Sequence, residues 1–276
     1  MGLCLKNQFF TSYGQGADIS DNNWVVIDWQ NDNDRSVAEW YAYLSQISNM
    51  TNVGYFLFEP GNSSGLVKLP PQNLITAINQ MMKELNALII VDEVTTGIGR
   101  TGKWFGYMHY NLVPDIIAAG KGLGNGYPVS AVIMKRHVVE KIFCNPFCYA
   151  QSHQNDPLGA AIAYKVLEVI EREHLIERSL ENGAYLRQCY IELQKEHQCI
   201  DEVRGIGMMN CIEFKDYMDE AMMKRIDKLL CEEGFLVAVK PLHRVLRTYT
   251  PFTLTKEMID AYCTTLSEVL NTCCAL

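Results

Sequence analysis

No stretch of this 276-residue chain approaches the ~20 consecutive apolar residues that a membrane-spanning helix needs. Basic residues are in the minority, 24 Lys and Arg against 32 Asp and Glu, so the net charge is −8. A nucleic acid or an anionic membrane is therefore not expected as partner. The ten cysteines are scattered, no CxxC pair is followed by a second, and no histidine lies at zinc-finger spacing. They read as buried or incidental reduced thiols, and no metal site is expected. Met1 to Phe10 holds one lysine and no sustained apolar run, which gives no sign of a secretory leader and leaves the cytoplasm as the default location. Repeats and low-complexity tracts are missing. What remains is 48% hydrophobic and 20% charged, a globular composition, in a length that holds one large domain or up to two ordinary ones around a real core.

Residues 1–50 carry the least pattern: polar and glycine-rich from Asn7 to Asn33, one strand-like run at Trp24–Ile27, then helical spacing from Ser36 to Ser48. From Val53 the pattern sharpens. Val53–Phe58 and Ala87–Asp92 are near-continuous apolar runs of the kind found in buried parallel strands. Between them Pro70-Pro71 opens a helix with Leu74, Ile75, Ile78, Met81 and Met82 on one face. Further strands are expected at Pro114–Ala119 and Val129–Met134. Strands alternating with helices at this rhythm predict an α/β fold, a mostly parallel sheet covered by helices. Past Phe147 the texture changes to long helices at 157–175 and 176–197, strands at 200–204 and 208–214, a helix at 219–233, a strand at 235–239 and a last helix at 256–270. That is the make-up of a smaller C-terminal α+β domain. The expected division is 1–175, a partial large domain, and 176–276, the small one.

Two glycine motifs invite a nucleotide reading. Gly97-Ile98-Gly99-Arg100-Thr101-Gly102 matches G-x-G-x-x-G, and Gly97 to Lys103 matches G-x-x-x-x-G-K. A phosphate loop of the second kind needs Ser or Thr next, where this chain has Trp104. The first kind needs its glycines directly after a strand and an apolar helix behind them. Here Asp92 to Thr96 intervenes, and 103–107 has no helical period. More telling are two charged residues at strand ends, Asp92 and Lys121, because ligands of open α/β sheets sit beside the carboxyl ends of the strands. Each has a plain alternative, a capping or surface acid and a solvated loop lysine. Together they suit carbonyl–amine chemistry, in which a lysine forms a Schiff base and a carboxylate grips a cofactor's cationic ring nitrogen.

Several motifs resemble the class III aminotransferases, which use pyridoxal 5'-phosphate on the type I fold. They are Glu59-Pro60, Asp92-Glu93-Val94-Thr95-Thr96-Gly97-Ile98-Gly99-Arg100-Thr101-Gly102, Pro114-Asp115-Ile116, Gly120-Lys121-Gly122-Leu123-Gly124-Asn125-Gly126-Tyr127-Pro128, Pro157-Leu158-Gly159-Ala160-Ala161 and Val203-Arg204-Gly205-Ile206-Gly207-Met208-Met209. They keep the family's order over about residues 53–270.

The resemblance implies that Lys121 is the Schiff-base lysine, that Asp92 pairs with the pyridinium nitrogen, and that Val94 packs on the ring. Thr95 stands where several members have a glutamine that reaches the cofactor's phenolic oxygen. Ser152 stands where a threonine reaches the phosphate of the neighbouring subunit's cofactor. Arg247 matches the arginine that binds a substrate carboxylate. The resemblance further implies a homodimer with shared active sites, an amino acid or amine as donor, and a 2-oxo acid as acceptor. Two departures stand out. Ser64 replaces a glutamate of the ornithine- and 4-aminobutyrate-type enzymes. The family's N-terminal phosphate-binding turn is not recognised in 1–54, so the chain reads as an N-terminally truncated member. A non-catalytic remnant, or a racemase, aminomutase or decarboxylase on the same scaffold, remains compatible with the same residues.

Overall fold

The apolar runs do become strands, and two of them carry the site. In the computed structural model, residues 2–5, 24–29, 34–48, 53–61, 66–144 and 151–274 are described. The chain divides into two compact units, one of 1–64, 69–98 and 104–171, the other of 65–68, 99–103 and 172–276. Among the described residues no helix is long and apolar enough to cross a membrane.

The first unit contains β1 (Gly2–Leu5), β2 (Trp24–Ile27), α1 (Val37–Ser48), β3 (Tyr55–Phe58), α2 (Gln72–Glu84), β4 (Leu88–Asp92), β5 (Ile116–Ala119), β6 (Ala131–Met134), α3 (Arg136–Cys144) and α4 (Pro157–Arg172). The strands form one sheet in the order β2-β1-β3-β4-β5-β6. All neighbours run parallel except β5 and β6, which are antiparallel. Helix α1 starts with a reciprocal cap: Ser36 N donates to Glu39 Oε2 at 2.8 Å, and Glu39 N donates to Ser36 Oγ at 3.3 Å. Helix α2 starts behind Pro71, whose extended backbone serves as its cap. Its stripe of Leu74, Ile75, Ile78, Met81 and Met82 is buried in one cluster with Trp40, Leu44, Phe56, Phe58, Ile89 and Val91. This cluster holds β3 and β4 in place and so fixes where β4 ends.

The second unit contains α5 (Leu175–Glu196), β7 (Ile200–Ile206), β8 (Met209–Phe214), α6 (Glu220–Glu232), β9 (Ala238–Lys240), β10 (Val245–Tyr249) and α7 (Lys256–Cys274). Its sheet has the order β7-β8-β10-β9 and is antiparallel throughout. One core gathers Leu186 and Tyr190 of α5, Ile226 and Leu230 of α6, and Ile259, Leu266 and Leu270 of α7 with Ile212, Phe214 and Leu246 of the sheet. A second, smaller cluster joins Met209, Cys211 and Val245 to Val67. Val67 is fully buried at φ +48, a left-handed conformation that a β-branched residue avoids. Burial and a 2.6 Å hydrogen bond from Arg204 Nε to the Leu66 carbonyl hold it there. Gly183 of α5 crosses the β7–β8 turn so closely that a Cβ would lie 1.9 Å from the Gly207 carbonyl oxygen.

The fold is the expected one, a mostly parallel sheet with helices plus a smaller α+β part, with local differences. Strand β6 reverses direction, which side-chain alternation does not encode. Strands β1 and β10 and helix α3 were not anticipated, β9 begins at Ala238 rather than Phe235, and α7 runs on to Cys274.

Candidate active site

Strands β4 and β5 pair in parallel with Asp92 opposite Ala118. The carboxyl end of β4 and the residues just past β5 therefore share one edge of the sheet. Strand alternation sends the two acids that end β4 different ways. Glu93 is fully buried. Its carboxylate accepts from Thr96 Oγ1 at 2.6 Å, Gly106 N at 2.8 Å and Tyr107 N at 2.7 Å. Burial pushes its pKa up to about 7 against the pull of those three donors. It acts as the clasp that folds the glycine-rich segment back on the strand end. Gly106 fits there because it has no side chain: a Cβ would lie 2.9 Å from the Cβ atoms of Pro60 and Thr96.

Asp92 is half-buried, and its Oδ1 accepts from Val94 N at 2.9 Å. Desolvation pushes its pKa up, while the Val94 N–H and the charge of Lys121 pull it back. Such a carboxylate gains from a cationic hydrogen-bond donor. Lys121 opens the 3₁₀ turn Lys121–Leu123 after β5 and is exposed. Its backbone is left-handed at φ +43, a conformation that costs an L-residue about 1–2 kcal/mol. Its Nζ donates to Thr95 Oγ1 at 2.5 Å. The Val94 side chain lies against Gly120, 3.6 Å from where a Cβ would stand. A cavity of about 430 Å³, lined by Lys121, Asn125, Tyr127 and Val129 among others, opens beside the lysine.

Asp92, Val94, Thr95 and Lys121 are thus brought together. Ser152 is exposed in the turn before α4, with no hydrogen bond to these four among the described residues. Arg247 belongs to the second unit, on β10, with its guanidinium 4.5 Å above the Tyr249 ring. Ser64 lies outside the described residues, as does half of 1–54, the stretch in which no phosphate-binding turn is recognised. The segment Gly97–Lys103 forms turns, with Gly99 and Gly102 at φ +85 and +82, and only the short 3₁₀ turn Gly106–His109 follows. It is not the strand–loop–helix of a nucleotide site. Nothing in the local sequence marks Glu93 as a clasp, since its partners Gly106 and Tyr107 lie 13 and 14 residues on.

The aminotransferase class-III family profile matches residues 6–270. The chain belongs to the class III aminotransferase family. It is 36% identical over 198 residues to the acetylornithine aminotransferase of Caldanaerobacter subterraneus subsp. tengcongensis, covering 71% of this chain and 48% of that one. It is 34% identical over 222 residues to ornithine aminotransferase 1 of Staphylococcus aureus (strain COL), covering 80% and 54%. The crystal structure of acetylornithine aminotransferase from Elizabethkingia anophelis superimposes with a TM-score of 0.83 at 27% identity, over 98% of this chain and 65% of that one. The chain spans about half the length of the curated relatives it matches.

Proposed function

We propose that this chain carries the catalytic half of a pyridoxal-phosphate-dependent transaminase, which moves an amino group from an amino acid or amine to a 2-oxo acid. The observation that carries the reading is the juxtaposition of Lys121 and Asp92 at the carboxyl ends of β5 and β4, close enough for the lysine's charge to act on the carboxylate. The donor set suits pyridoxal 5'-phosphate: an amine for its carbonyl carbon, a desolvated carboxylate for its ring nitrogen, and the Val94 side chain for its ring face. When bound, that group supplies the electron sink for cleaving a bond at the amino carbon.

The chain's residues then have separate tasks. Lys121 would hold the cofactor through its amine and, once freed by the substrate, would take the proton from the substrate's amino-bearing carbon and deliver it to the cofactor's carbonyl-derived carbon. The Thr95 hydroxyl, 2.5 Å from Nζ, steadies that amine. Asp92 would keep the ring nitrogen protonated, since a nearby anion raises its pKa. Ser152 is assigned to the phosphate of a neighbouring subunit's cofactor, and Arg247 to the substrate carboxylate through a bidentate pair. The proposed domains are a partial large domain, 1–175, and a small domain, 176–276.

A homodimer is part of the proposal. Supporting it, Phe143 of α3 and Leu158 and Tyr164 of α4 are 80%, 57% and 71% exposed, three large apolar side chains left to solvent. The direct test supplies pyridoxal phosphate, a 15N-labelled amino acid and an unlabelled 2-oxo acid. Label should appear in a new amino acid, and Lys121→Ala should lose the transfer. Racemised or decarboxylated donor with no transferred label would refute it.

A further inference from the structure

Three sulfur atoms from distant parts of the chain meet in the second unit. Cys199 stands just before β7, Met218 in the turn between β8 and α6, and Cys274 at the end of α7. The Cys274 Sγ lies 3.8 Å from Met218 Sδ, and its thiol is in hydrogen-bond contact with that of Cys199. Met218 is fully buried and Cys199 is 2% exposed, whereas Cys274 is half-buried and leaves a way in from solvent. Sulfur ligands about 2.3 Å from one metal ion stand roughly 3.8–4.0 Å apart in a tetrahedral or trigonal array. The Cys274–Met218 spacing is already that of a ligand pair. Among the described residues no three of His, Cys, Asp and Glu gather as metal ligands. Two thiols and a thioether are a different donor set, one that suits copper(I) rather than a hard ion or zinc.

We infer that Cys199, Met218 and Cys274 form a binding site for a single copper(I) ion. Burial holds both thiols protonated, so binding breaks two S–H bonds and sends two protons to solvent. Two thiolate–copper bonds and one thioether–copper bond form in their place, and the copper stays monovalent. Two thiolates around one such ion leave the site with a single negative charge. Two cations are placed to offset it: the charge of Lys215 acts on Cys199, and that of Arg225 on Cys273, the neighbour of Cys274. None of the residues proposed for amino transfer takes part.

An anaerobic titration of the reduced whole chain with the coloured copper(I)–bicinchoninate complex tests this. The chain should withdraw a first equivalent of copper, read as loss of the complex's absorbance. Loss of a group behind a metal ligand already costs roughly 10–100-fold in affinity, so loss of a ligand should cost at least about tenfold. Cys274→Ser, at a half-buried position, and Met218→Leu, which nearly keeps the side-chain volume, should each weaken uptake by that much. Cys144→Ser and Cys189→Ser should leave it as in the parent. X-ray absorption of the parent with one copper bound should show sulfur alone around the metal, a result that depends on no variant folding. No uptake, or nitrogen or oxygen bound to the copper, overturns the inference. So does uptake undisturbed by Cys274→Ser and Met218→Leu in proteins with the parent's thermal melt, or an equal loss on Cys189→Ser, which would place the copper on other thiols.

Discussion

Two adjacent acids at the end of β4 have opposite surroundings, and each makes its own forecast. Asp92 faces the open strand end with one backbone donor and a lysine's charge nearby. Asp92→Asn keeps the shape and removes the charge, so kcat of amino transfer should fall about tenfold or more, the worth of a charge-assisted hydrogen bond at the ring nitrogen. Steady-state kinetics against the parent would check it, and an unchanged kcat would deny the residue its role. Glu93 should matter to folding instead. Glu93→Gln leaves one acceptor oxygen for three donors and should cost roughly 1–3 kcal/mol in denaturant unfolding.

Its pKa of about 7 in the fold lies above the unfolded value of 4.5. The contribution is therefore complete below pH 4.5 and is lost as pH rises through 7, because the unfolded chain releases its proton first. The parent's stability should carry this downward component between pH 4.5 and 7, and Glu93→Gln should lack it. Only the role proposed for Asp92 was read from the sequence; that of Glu93 was not. Asp92 could be suspected from its place at a strand end, whereas an acid beside an acid reads as surface charge until the burial of Glu93 is seen.

At the scale of elements, the tightest constraint is the crossing of α5 over the β7–β8 turn. Gly183→Ala puts a Cβ into the Gly207 carbonyl, so backbone must move. It should cost at least the roughly 1–3 kcal/mol typical of overpacking, read as a lowered thermal midpoint. The elements themselves were unevenly legible. Helix α2 and strands β3 and β4 could be read because proline, the i, i+3, i+4 stripe and continuous apolar runs each have one structural meaning there. Strand β10 was hidden by its own chemistry: the consecutive Arg247 and Thr248 break its apolar run between Leu246 and Tyr249, so neither a continuous nor an alternating pattern shows. Strand β1 is four residues at the start of the chain, too short to show a period. The reversal of β6 depends on its partner, and the left-handed Val67 on what encloses it.

At the scale of the molecule, the exposed apolar side chains of α3 and α4 predict self-association. Sedimentation velocity should find a dimer, and Leu158→Asp with Tyr164→Asp should yield monomer with unchanged secondary structure, since both positions are solvent-exposed in one copy. A monomeric parent would remove the basis for assigning Ser152 to a neighbour's cofactor. That Asp92, Val94, Thr95 and Lys121 would meet was legible because they lie in short stretches around two paired strand ends. The clasp that shapes it needed the three-dimensional return of Gly106 and Tyr107 to Glu93.

Everything proposed for this site depends on Lys121 being the residue that bonds the cofactor. Borohydride reduction of the protein loaded with pyridoxal phosphate, followed by peptide mapping, tests it most directly. One modified lysine, Lys121, is expected, with no fixed cofactor in Lys121→Ala. Modification centred on another lysine, or undiminished in that variant, would contradict it.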